Sequence, residues 1–285
     1  MKSIKICVAA ITAGVVCIAV MLGILSAAIY AENESGNSFI GLMYHQVLKD
    51  ESRAGKYIIT PNELESDLAY LSENGYVSVL PSQLVKIREQ GGRLPEKTVV
   101  ITFDDGYETG LYYVLPLLKK YGMKAVINVV GSYTDEYSRI NEEGKHLSYA
   151  YLTWNEIKKL SDSGYAEIGN HTYDMHSYNG ERNGCARKEN ESDEQYRTVL
   201  YEDVARLSDK LQQVTGKRPV AFAYPFGSLS EGSAEIIGSA GISVFMTCCE
   251  QPCSMNRNGR IVINRYNRES GRSAQQICEE FNNAF

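Results

Sequence analysis

Histidine is scarce in this chain: four in 285 residues, with none after His176. Tryptophan occurs once, at Trp154. The seven cysteines include no Cys-x-x-Cys pair and lie far from the histidines, which argues against a structural zinc cluster. Internal repeats and low-complexity tracts are also missing. Positive charge is in deficit, with a net of −6. Lys2 and Lys5 are the only charges among the first 31 residues, so the remainder holds 27 basic against 35 acidic residues. That balance argues against nucleic acid, or an anionic polymer held by bulk charge, and is compatible with a neutral or cationic glycan.

One long uncharged stretch is present. Lys2 and Lys5 precede an apolar run from Ile6 to Ala31, longer than the usual core of a signal peptide and long enough to span a bilayer. The flanking lysines favour a cytoplasmic N-terminus and an exported body, anchored in the membrane and facing its extracytoplasmic side. A cleavable signal peptide, which would release a secreted protein, is the competing reading, with Ala27 and Ala28 offering small-residue sites. Residues 32–37 read as a polar linker. Export permits disulfides, and Cys248 or Cys249 could pair with Cys253.

Beyond the linker, strand and helix signals alternate. Strands are expected at 39–44, 98–103, 124–130, 166–171, 219–224, 242–246 and 261–266. Capping boxes at Thr60-Pro61-Asn62-Glu63 and Thr153-Trp154-Asn155-Glu156 open two helices. Longer helices are expected at 108–121 and 194–214, with a polar loop at 131–152 and a polar insert at 177–193. Seven strands with helical crossovers predict an α/β fold, better suited to a distorted, incomplete TIM-like (β/α)7 barrel than to an open sheet.

The chemistry concentrates at strand ends. The run Thr98–Phe103 stops on two adjacent carboxylates, Asp104 and Asp105; the run Ala166–Asn170 stops on His171, and His176 follows five residues on. One carboxylate and two imidazoles make an open metal site, and the second carboxylate is then free to act as a base on water. The bland alternative is a helix cap at Asp104-Asp105 and a pair of hydrogen-bonded loop histidines. Two carboxylates after a buried strand are more expensive than a cap requires. The chain reads as a metal-dependent hydrolase.

Three segments carry a resemblance. Thr102-Phe103-Asp104-Asp105-Gly106, His171-Thr172-Tyr173-Asp174-Met175-His176 and Phe222-Ala223-Tyr224-Pro225-Phe226-Gly227 resemble the three motifs of the polysaccharide deacetylases, the NodB-homology or carbohydrate esterase 4 family. The resemblance covers about residues 38–270 and makes 38–285 the catalytic domain. It implies that Asp104 is the general base. Asp105, His171 and His176 would hold a divalent metal, commonly Zn²⁺, with Co²⁺ or Ni²⁺ as other candidates. Tyr224, Pro225 and Phe226 would line the site and offer a backbone N–H to an oxyanion.

Three departures accompany the likeness. The histidines are five residues apart rather than four. Ala223 stands where an arginine often pairs with the catalytic Asp, and Ile263-Asn264-Arg265 stands where a histidine acid is expected. These departures resemble the poly-β-1,6-N-acetylglucosamine deacetylase branch, in which an early Met-Tyr-His strand supplies the acid; Met43-Tyr44-His45 matches it. The resemblance thus implies His45 as acid, with Arg265 as a substitute partner for Asp104 and Asp174 as a partner for a ligand imidazole. It also implies an N-acetylglucosamine polysaccharide as substrate. A peptidoglycan or chitin-type deacetylase and a catalytically silent glycan-binding protein are the alternatives. His146 reads as a surface residue. Trp154 reads as a staple of its helix to the core, with sugar stacking as its sharper reading.

Overall fold

The computed structural model describes residues 37–140, 146–178, 182–255 and 259–283; the apolar run 6–31 and residues 32–36 of the expected linker lie outside them. Among the described residues no helix is long and apolar enough to cross a membrane. The chain opens with β1 (Ser38–Tyr44), β2 (Gln46–Val47) and β3 (Ile58–Ile59), then α1 (Pro61–Glu73), β4 (Val77–Ser78), α2 (Pro81–Glu89) and β5 (Thr98–Phe103). A π-helical turn at Gly110–Val114 runs into α3 (Leu115–Tyr121), followed by β6 (Ala125–Val129), α4 (Gly131–Tyr137), α5 (Trp154–Asp162) and β7 (Ala166–Asn170). The rest comprises α6 (Asp193–Thr215), β8 (Ala221–Ala223), a 3₁₀ turn at Pro225–Gly227, α7 (Ser233–Ser239), β9 (Val244–Met246), β10 (Cys253–Ser254), β11 (Ile261–Ile263), β12 (Tyr266–Asn267) and α8 (Ala274–Asn283).

Seven strands lie parallel in the order β1-β5-β6-β7-β8-β9-β11. The chain leaves β11 at one edge and, after Asn264 and Arg265, pairs as β12 with β1 at the other edge, Leu42 opposite Tyr266. The sheet therefore wraps into a nearly closed barrel, as the count of seven strands predicts. The expected strand at 261–266 is in fact two strands on opposite edges, because the chain has to step across the seam there. The expected loop at 131–152 begins with α4, a helix that opens on Val130 without a side-chain cap.

The side-chain period of two sorts each strand. Odd positions of β1 (Phe39) and β11 (Ile261, Ile263) and even positions of β5 and β6 (Val100, Val126) fill the barrel interior with Ala221, Ala223, Val244 and Met246. The opposite parity (Ile40, Leu42, Val99, Ile101, Ala125, Ile127) packs under the helices. Helix starts follow local chemistry. Thr60 Oγ1 accepts from Glu63 N (3.2 Å) while Glu63 Oε2 accepts from Thr60 N (2.8 Å). Thr153 and Glu156 repeat the arrangement, as do Ser192 and Gln195 at the start of α6. Each such cap is worth about 1 kcal/mol. All five described cysteines are free thiols, which corrects the expected pairing with Cys253. Cys253 Sγ instead donates to the Asn264 carbonyl at 3.1 Å.

Candidate metal centre and active site

Continuing the inward parity to or past each strand end names the site: His45 after Met43, Asp104 after Thr102, Asn128 (still within β6) after Val126, His171 after Gly169, Arg265 after Ile263. Gly169 is required there, since a Cβ would lie 2.0 Å from Asn128 Oδ1. Asp105 has the outward parity. Its φ of +71° turns it back toward the mouth, and Gly106 follows at +72°, where a Cβ would meet Val129 at 3.0 Å. Among the described residues only four non-glycines have positive φ, and three of them (Asp105, Thr172, Phe226) belong to the three motifs. Such strain persists only where surrounding structure fixes it, and it clusters at functional sites.

Asp105 Oδ1 lies 3.1 Å from His176 Nε2 and 3.5 Å from His171 Nε2. The three donor atoms fall within 4.8 Å of one another. His171 Nδ1 is 2.8 Å from the Ala223 carbonyl, which can only accept, so Nδ1 carries the proton and Nε2 is left as a lone pair. The Tyr133 hydroxyl donates to the His176 carbonyl (3.0 Å) and lies 3.3 Å from His176 Nδ1, free to accept its proton. Both imidazoles thus aim Nε2 at one point. Burial would raise the Asp105 pKa, but the two imidazoles facing it, when they carry a second proton on Nε2, outweigh burial and hold the carboxyl well below the ordinary range; the neutral rings present to the same point the lone pairs a metal would take. Burial would lower the His171 pKa, and Asp105 and Asp104 raise it.

Asp104 sits beside this cluster, 3% exposed. Its Oδ1 accepts from Arg265 Nη1 and from Asn128 Nδ2, each at 2.7 Å. Arg265, fully buried, is itself held by Thr102 Oγ1 (3.0 Å) and the Thr247 carbonyl (2.9 Å). Burial alone would raise the Asp104 pKa; the charges of Arg265 and His171 prevail and bring it to about 2. His45 lies within electrostatic reach of both aspartates. Burial pulls its pKa below the ordinary value against their pull, and its buried Nδ1 has no hydrogen-bond partner among the described residues.

Other expectations separate here. Phe226, half exposed, packs its ring 4.6 Å from that of His176. Tyr224 has the outward parity shared with Phe222, so its ring is buried under α6 and α7 against Phe222 and Phe245 and does not line the site. Pro225 is buried with it. Asp174 is exposed and is no partner of an imidazole; those places are taken by Ala223 O and Tyr133. Trp154 gives its indole N–H to Asp135 (2.8 Å) and packs on the outer core, which removes the sugar-stacking reading. His146 is exposed. Tyr133 and Asn128 went unread in the sequence. Inward parity could have found Asn128; nothing in a polar, tyrosine-bearing loop singled out Tyr133.

A family profile described as polysaccharide deacetylase matches residues 91–245. The chain is 26% identical over 230 residues to the poly-beta-1,6-N-acetyl-D-glucosamine N-deacetylase of Escherichia coli (strain K12), covering 74% of this chain and 34% of that protein. It is 23% identical over 234 residues to the protein of the same name from Staphylococcus aureus (strain MRSA252), covering 78% and 76%. The chain thus spans about a third of the length of its Escherichia coli relative. Among solved structures, a de-N-acetylase from Aggregatibacter actinomycetemcomitans superposes with a TM-score of 0.73 at 25% identity, over 85% of this chain and 99% of that one. IcaB from Ammonifex degensii does so with 0.68 at 26%, over 86% and 97%. The profile spans the first two motifs and the third, while His45 and Arg265 reach the same centre from outside it. The chain belongs to the polysaccharide deacetylase family.

Proposed function

We propose that this protein is a divalent-metal-dependent hydrolase that removes N-acetyl groups from N-acetylglucosamine units of a cell-surface or exported polysaccharide of the poly-β-1,6 type. The observation that carries the reading is the convergence of Asp105 Oδ1, His171 Nε2 and His176 Nε2 beside a separately held carboxylate. One oxygen and two imidazole nitrogens, with both tautomers set by their outer bonds, suit Zn²⁺, Co²⁺ or Ni²⁺. When bound, such a cation would polarise the acetamide carbonyl and acidify a water.

The remaining work belongs to the chain's own groups. Asp104 is ionised at any physiological pH, and Arg265 and Asn128 fix one of its oxygens. The other is left to orient the attacking water and take its proton. Burial lowers the pKa of His45, which favours its neutral form, so the proton it hands to the departing amine is the one Asp104 takes from the attacking water, passed on within the site. Phe226, beside His176, covers one side of the site and offers its backbone N–H to the oxyanion. A glycan-binding protein has no use for a free base in that position. The apolar run at 6–31 supports export, with anchoring or cleavage decided by N-terminal sequencing: a mature start near Glu32 would rule out the anchor.

Acetate release is the test, measured on β-1,6-linked N-acetylglucosamine oligomers, chitin oligomers and peptidoglycan, before and after chelation and re-addition of Zn²⁺. Metal-dependent release favouring the β-1,6 oligomers is expected. Release from peptidoglycan or chitin oligomers alone would overturn the substrate, and no release from any of them would overturn the enzyme.

A further inference from the structure

His171 is placed by its strand: its N–H bonds the Val129 carbonyl at 3.0 Å. His176 has no such support. It ends a five-residue excursion that starts with Thr172 at φ +71°. One flank of that excursion leans on the start of α4, where the Gly131 and Ser132 N–H groups bond the Thr172 and Tyr173 carbonyls (3.1 and 2.7 Å). The other flank turns two backbone donors, Tyr173 N and Asp174 N, toward α6. Both end on one side chain: Asp203 Oδ1 accepts the first at 2.7 Å and Oδ2 the second at 2.8 Å. From the next residue of α6 and from little more than a turn beyond it, the Val204 carbonyl (2.9 Å) and Ser208 Oγ (3.0 Å) accept from Asn170 Nδ2, while Asn170 Oδ1 accepts from Thr172 N at 2.9 Å.

Building on the metal-site reading above, we propose that Asp203 is a positioning residue. By clamping the amides of Tyr173 and Asp174 it gives the ligand loop the shape that carries His176 across a five-residue spacing to the point where His171 and Asp105 converge. Two adjacent amides turned off the strand need acceptors, and a carboxylate with two oxygens meets both N–H groups in one geometry. Asp203 lies half buried in the wall of a cavity of about 440 Å³ that also includes Asp174, Glu202 and Arg206. Burial, only partly offset by the two amides, pushes its pKa up to about 6. A carboxylate kept ionised there at neutral pH is tolerated for what it holds.

The test is metal affinity of the full-length protein, measured by chelator competition with Zn²⁺, together with the visible spectrum of the Co²⁺-loaded protein. Asp203→Asn presents an N–H to a backbone N–H and should weaken Zn²⁺ binding 10–100-fold, the range for an outer partner of a metal ligand, and alter the Co²⁺ bands. Asp203→Glu keeps both acceptors and should recover part of the affinity. Glu202→Gln, in the same cavity wall, should bind as the native protein does. Native affinity and an unchanged spectrum in Asp203→Asn would overturn the inference. If that variant folds poorly, the rise in melting temperature on adding Zn²⁺ to Asp203→Ser, which leaves at most one acceptor for the two amides, decides, and a rise equal to the native one overturns it. Failure of the native protein itself to bind Zn²⁺ or Co²⁺ would instead sink the metal-site reading.

Discussion

Arg265 is the largest fully buried side chain among the described residues, and replacing it with methionine tests the electrostatic frame of the site directly. The substitution keeps the apolar stem and deletes the guanidinium, removing the bonds to Asp104, Thr102 and Thr247. Asp104 is left nearly inaccessible, with Asn128 still donating. Breaking a buried pair by removing one partner costs about 3–5 kcal/mol. The pH dependence fixes the sign. In the native protein Asp104 titrates at about 2 against an ordinary 3.8, so its contribution is present above pH 4 and lost as pH falls toward 2. That displacement corresponds to about 2 kcal/mol. In Arg265→Met burial acts without its main counterweight and the pKa moves up. The folded mutant then takes up a proton before the unfolded chain does, and the gap to the native protein narrows as pH falls from 7 to 4. Urea denaturation of metal-free protein at both ends of that range reads the gap, with Asp104→Asn and the double mutant closing a cycle. The double mutant should be less destabilised than the sum of the singles by about 2 kcal/mol or more. A loss below about 1 kcal/mol, the same at both pH values and additive in the cycle, would refute the reasoning.

Three further outcomes are expected. His171→Ala or His176→Ala should lose most bound metal by elemental analysis, whereas Asp104→Asn should keep the metal and lose most acetate release; loss of metal in Asp104→Asn would mean that the two aspartates exchange roles. His45→Gln should slow turnover by about 10²–10⁴-fold with metal retained, the usual range for a proton-transfer group, and turnover near native would remove His45 from the reaction. Tyr133→Phe deletes the hydroxyl that faces His176 Nδ1 and should weaken Zn²⁺ by about tenfold in chelator competition; an unchanged affinity would leave Tyr133 as packing only.

Much of the centre was legible because strand ends obey a parity rule. Asp104 and His171 stand two residues past buried inward positions, and Asp105 and His176 are named by their neighbours. The same rule exposes the misreading of Tyr224: Ala221 and Ala223 face inward, so Tyr224 cannot. What stayed hidden depends on the third dimension. Asp203 is one acid among many on a 23-residue helix, and only folding places it under the loop after β7. Tyr133 lies on a short helix without a capping residue, inside a stretch whose polarity reads as loop. The step from β11 to β12 looked like one strand because a seam leaves no mark in hydrophobic pattern.

That seam also governs when the site can exist. β1, near the start of the described chain, is flanked by β5 and β12, and β12 is made only after residue 265. Synthesis delivers Asp104 and Asp105 some 160 residues before the arginine that neutralises one of them. Until the last strand arrives, the two carboxylates must stay in water, and the barrel must stay open around them. Closure and assembly of the centre are then a single late event. Pairings of such sequence separation form slowly. A chain stalled or clipped before Arg265 should keep the parallel pairings among its earlier strands and lack a working centre, which ties assembly of the site to completion of the polypeptide.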